Sequence, residues 1–86
     1  MKGERIMIKY TLLSRWSEFE DKPEQSNWLY NNTRIDSRKT TTATTKAQKL
    51  TKEFNKKFGT DYSWSDLYEI DAGEWEYNGE YWERID

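Results

Sequence analysis

Five residues constrain this chain more than any others: Ala43, Ala47, Leu50, Phe54 and Phe58, which recur at spacings of 4, 3, 4 and 4. An α-helix turns once every 3.6 residues, so these side chains form one apolar stripe, with the intervening lysines on the opposite face. Such a stripe has to be covered by a second layer, which the rest of the chain must supply. Lys56 and Lys57 suit the negative end of the helix dipole, and Gly59 suits a left-handed C-cap. At the other end, Thr45 and Gln48 have the S/T-x-x-E/Q form of a capping box, inside a threonine run that reads as helix-entry chemistry.

The covering layer reads as an antiparallel sheet. From Arg5 to Trp16 the chain alternates, with Ile6, Ile8, Tyr10 and Leu12 on one side and Met7, Lys9, Thr11 and Leu13 on the other. Period two over this length predicts a strand. Residues 17–27 are charged, hold the single proline, and read as a loop. Residues 28–36 read as a weaker strand in which Asn31-Asn32 marks a bulge or turn. A third strand is expected over 65–71, turned by Ala72-Gly73.

Asn78-Gly79 is a strong hairpin signal, because a type I′ turn needs φ > 0 at both central residues. A two-residue turn there pairs Tyr77 with Glu80, Glu76 with Tyr81, Trp75 with Trp82 and Glu74 with Glu83. Trp75 and Trp82 then cover the helix stripe. The expected fold class is α+β: a single helix packed on a four- to five-stranded antiparallel sheet, in the order ββαβββ.

Composition decides what fills the core. There is no Val, and Ile, Leu and Phe together number 13 of 86 residues, a poverty that points toward disorder. The net charge of only -2 and 14 aromatic residues oppose that reading. Each aromatic side chain can bury about 150–250 Å². The expectation is one small domain over residues 7–86 with an aromatic core.

The N-terminus carries a separate signal. With A-rich codons, Lys2-Gly3-Glu4 spells a bacterial ribosome-binding sequence ahead of Met7. The expectation is that Met7 is the native start, that residues 1–6 are a translated leader or a disordered N-terminus, and that the source is a low-GC bacterium or its phage.

The chain lacks Cys and His, which excludes disulfides, thiol nucleophiles, imidazole acid–base chemistry and the usual zinc sites. No apolar run approaches the roughly 20 residues of a membrane span. A cytoplasmic protein with no membrane partner is expected.

Charge is sharply segregated. Residues 33–60 carry eight basic and two acidic groups, whereas residues 61–86 carry one basic and nine acidic groups. Glu74 and Glu83 as cross-strand neighbours suggest Mg²⁺ or Ca²⁺, but Ca²⁺ wants 6–8 oxygen ligands and no EF-hand loop is present. A catalytic carboxylate pair needs a desolvating cleft, for which a chain this short has little room. No metal, no cofactor and no enzymatic activity are therefore expected.

Carboxylates interleaved with aromatics suit a basic partner protein, since charge steers the encounter and aromatics supply contact energy. The partner-binding residues are read as Glu74, Glu76, Tyr81, Glu83, Asp66 and Glu69. The bland alternative is solvated charge that protects an edge strand from aggregation.

The expected function is stoichiometric inhibition. A small phage or bacterial protein of this kind occludes the basic surface of a larger protein such as a nuclease or other nucleic-acid enzyme, in the manner of an anti-CRISPR inhibitor of a defence nuclease. The competing reading is a nucleic-acid-binding accessory protein that tracks phosphates with Arg38, Lys39, Lys46, Lys49, Lys52 and Lys56. Against it stand the acidic balance of the chain and the ordinary occurrence of lysines on a solvated helix face.

Overall fold

The computed structural model describes residues 7–85. The leader expected over residues 1–6 lies outside the described residues. The fold is α+β, with a four-stranded antiparallel sheet in the spatial order β2-β1-β3-β4. Its elements are β1 (Met7–Ser14), a 3₁₀ turn (Trp16–Phe19), α1 (Pro23–Asn31), β2 (Arg34–Ile35), α2 (Thr40–Phe58), α3 (Trp64–Leu67), β3 (Tyr68–Tyr77) and β4 (Trp82–Arg84).

The predicted helix is α2, and it behaves as the stripe requires. Ala43, Ala47, Leu50 and Phe54 are buried, Phe58 is half-buried, and Gly59 closes the helix in the left-handed conformation at φ 65. α2 packs on β1 and β3. The core joins Leu50 and Phe54 to Leu12, Phe19, Leu29, Leu67 and Tyr68. It is aromatic at its centre: the Phe54 ring lies 4.7 Å from Phe58, 5.5 Å from Trp28, 5.8 Å from Tyr62 and 6.2 Å from Phe19.

The single-helix order ββαβββ is not what forms. Residues 17–31 make the 3₁₀ turn and α1, where a loop and a strand were expected. Pro23 occupies the first turn of α1, where its missing N–H costs nothing, and Glu24 complements the helix dipole. Trp28 and Leu29 both pack against the core, which neighbours on a helix can do and alternating strand residues cannot. Only Arg34–Ile35 remain as strand, paired with Leu12 and Thr11.

Both helix starts also differ from expectation. α2 begins at Thr40, before the predicted cap, so Thr44 and Thr45 donate back to the carbonyls of Thr40 and Thr41 inside the helix. The capping box lies at Ser63 and Asp66, where the Ser63 N–H and hydroxyl donate to Asp66 Oδ2 at 2.9 and 3.0 Å. It starts the short α3, so residues 64–67 are helical and the strand begins at Tyr68.

β3 runs straight through Ala72-Gly73. Ile8 pairs with Trp75 and Tyr10 with Ala72, so Gly73 and Glu74 together face Lys9 as a β-bulge. A bulge bends a strand where a turn would reverse it, and one ten-residue strand replaces the two that were expected. The Arg84 side chain lies against Gly73, at 2.8 Å from where a Cβ would sit, and its Nη1 donates to Asp71 Oδ2 at 2.6 Å.

The terminal hairpin exists in a different register. Tyr77 pairs with Trp82, Glu76 with Glu83 and Trp75 with Arg84. The turn is centred on Gly79-Glu80, because among the described residues only glycines take positive φ and Gly79 supplies it at 104. Asn78 closes the turn with its side chain: Oδ1 accepts the N–H groups of Glu80 and Tyr81 at 2.9 and 3.0 Å. Trp75 and Trp82 therefore do not face each other, and neither joins the core, which extends along β3 only to Ile70.

Candidate functional site

The hairpin gathers four of the six residues read as partner-binding. Glu76 and Glu83 are direct cross-strand neighbours. Glu74 accepts the Ile85 N–H on its carbonyl at 2.9 Å, which sets the two strand ends side by side. Tyr81 sits at the end of the turn, 55% exposed, with its hydroxyl 3.4 Å from Glu83 Oε2. Tyr77 and Ile85 are also exposed, and Tyr77 packs its ring 5.4 Å from Trp82. The substantial contacts of β4 are with β3 alone. Carboxylates and aromatic faces thus share the β3–β4 ribbon, whose β3 strand also pairs with β1 at Trp75 and Glu76.

Asp66 and Glu69 are not part of that ribbon. Seven residues separate Glu69 from Glu76, about 23 Å along a strand. Glu69 makes an ion pair with Arg15 at 3.3 Å. Asp66 caps α3, and the Ser63 backbone N–H, followed by the Ser63 hydroxyl, holds its carboxyl below the usual carboxylate range. Both have local partners and stand apart from the hairpin carboxylates.

The basic set also divides. Lys46 reaches Asp36 at 3.2 Å, and that carboxylate is only 3% exposed, so Lys46 neutralises a buried charge. Arg38 and Lys39 lie exposed in the link before α2, where Lys39 is the N-cap residue. Lys49, Lys52 and Lys56 are exposed and make no ion pair among the described residues.

Lys49 and Lys52 line a groove of about 510 Å³, with Thr45, Gln48, Thr51, Asn55, Tyr62 and Trp64. Its aromatic wall is held by Asn55, whose Oδ1 accepts the Tyr62 N–H at 3.0 Å and whose Nδ2 donates to the Tyr62 carbonyl at 2.9 Å. The contribution of Tyr62 and Trp64 to a site with α2 lysines was not read from the sequence. The helix C-cap at Gly59 was the available signal, since a chain reversal there returns residues 60–64 along α2. A second exposed feature also went unread: Trp16 and Tyr30 stack edge-to-face at 5.3 Å on the outside of the 3₁₀ turn and α1.

Among the described residues no three His, Cys, Asp or Glu side chains converge to hold a metal ion, and no helix is long and apolar enough to cross a membrane. In comparisons with known proteins the chain matches no family model, no curated protein and no solved structure.

Proposed function

We propose that this chain is a non-catalytic binding protein that lays its acidic hairpin on a basic surface of a larger protein. The observation that carries the reading is the hairpin itself: Tyr77, Tyr81 and Ile85 stay exposed beside Glu74 and Glu83, outside the core, in a chain poor in apolar residues. Exposed aromatics next to charge have the composition of an interface, where Tyr and Trp anchor contact and carboxylates steer approach. The partner class that fits is a nuclease or other nucleic-acid enzyme, whose substrate channel is basic. Occupying that channel excludes the nucleic acid, so the consequence is inhibition of the anti-CRISPR type, in the cytoplasm of a bacterium or phage-infected cell.

Capture with matched baits tests the reading. The wild-type protein, a Glu74→Gln/Tyr81→Ser/Glu83→Gln variant and a Lys49→Gln/Lys52→Gln variant are immobilised and exposed to the same bacterial lysate. The hairpin variant is expected to lose a basic protein that the wild type and the lysine variant both retain. Retention by the hairpin variant, with loss on the lysine variant, would reverse the assignment.

A further inference from the structure

The groove between α2 and the residue 60–64 segment has no role in the hairpin reading, and its lining is chemically specific. Lys49 and Lys52, one turn apart on α2, put two uncompensated cations on one wall. Tyr62 and Trp64 form the other, half-buried, so that part of each ring is open. The Tyr62 ring is fixed from behind by Phe19 and Phe54 at 5.6 and 5.8 Å, while Trp64 stacks on none of the described rings.

At about 510 Å³ the groove falls within the usual size of ligand sites. The neighbouring groove over Trp28 and Phe58, about 390 Å³, contains one lysine, Lys57, and also Glu24.

We infer that this groove binds a single-stranded nucleic acid segment, with a base stacked on Trp64 beside Tyr62 and phosphates on Lys49 and Lys52. Cationic tracks interleaved with aromatic faces are how single strands are held without sequence readout. A duplex hides its base faces, and an acidic peptide has none to offer the indole. The site is separate from the acidic hairpin and stands or falls independently of it.

The test is fluorescence anisotropy with a labelled single-stranded thymidine oligonucleotide at several salt concentrations. A duplex of equal length and a polyglutamate peptide serve as competitors. Binding to the single strand is expected, with weak competition from either. Trp64→Ala lowers affinity roughly 5- to 150-fold, the range of one lost base–aromatic stack. Trp64→Phe, which keeps a ring and guards against misfolding, loses less. Lys49→Gln/Lys52→Gln reduces the salt slope by about 1.4, two single-strand phosphates. Lys56→Gln, outside the groove, leaves affinity within about twofold, one surface charge being a small part of a screened field.

The proposal is overturned by absence of binding at low salt, by equal competition from duplex or polyglutamate, or by equal loss on Lys56→Gln and Lys49→Gln. Full affinity in folded Trp64→Ala would overturn it as well.

Discussion

Phe54 is the side chain on which the most packing converges. It is fully buried and touches four other rings, so Phe54→Ala leaves a cavity the surroundings cannot close. The expected loss is about 3–5 kcal/mol, a large share of the stability of so small a domain. Lys52→Ala, on the exposed face of the same helix, should change stability by less than about 0.5 kcal/mol. Denaturant unfolding of the two variants checks the helix face, and equal losses would refute it.

Tyr68 makes a pH-dependent contribution. It is fully buried, donates its hydroxyl to the Asn32 carbonyl at 3.1 Å, and burial pushes its phenol well above the ordinary tyrosine range, outweighing the opposing pull of Arg34. A raised folded-state pKa means that the stabilisation is fully present below the unfolded value of about 10 and is lost as pH rises above it. Thermal unfolding should show Tm falling above about pH 10. Tyr68→Phe should start lower by the loss of one hydrogen bond, about 0.5–1.5 kcal/mol, and fall less steeply. A parallel decline in both proteins would show that Tyr68 does not carry the alkaline transition.

At the scale of elements, what was legible followed from periodicity and caps. The stripe from Ala43 to Phe54 and the Gly59 cap identified α2, and alternation identified β1, because both signals arise within one element. Gly59→Ala should cost about 1–2 kcal/mol, since φ 65 puts a Cβ against its own carbonyl although nothing else is within 4 Å. Equal stability of that variant would contradict the cap.

The misreadings share a cause: local cues that tertiary contacts reinterpret. Pro23 and the charges around it looked like a loop, yet Pro23 starts α1 because Trp28 and Leu29 have a core to enter. Ala72-Gly73 looked like a turn, yet pairing with β1 carries β3 through it as a bulge. Asn78-Gly79 looked like the centre of its turn, but Asn78 does more as an acceptor for two N–H groups. Of the candidate site, Glu74, Glu76, Tyr81 and Glu83 were legible because hairpin neighbours are sequence neighbours. That Asp66 and Glu69 lie apart from the hairpin was not legible, because their partners, Ser63 and Arg15, are a matter of capping and of contact across the fold.

The molecule is elongated, 47 × 25 × 19 Å, and its charge is segregated by element. α2 and its approach carry six of the nine lysines, while residues 61–86 carry nine of the sixteen acidic side chains. Core and hairpin are correspondingly separate, so the same residues need not serve both stability and binding. The most direct measurement of that claim is the association rate of the hairpin's captured partner at two salt concentrations, made beside Tm for each variant. Glu74→Gln/Glu83→Gln should leave the fold unchanged, slow association, and depend less on salt than the wild type. Association of that variant at the wild-type rate and salt dependence, while Lys49→Gln/Lys52→Gln slows it, would show that the hairpin is not the binding surface.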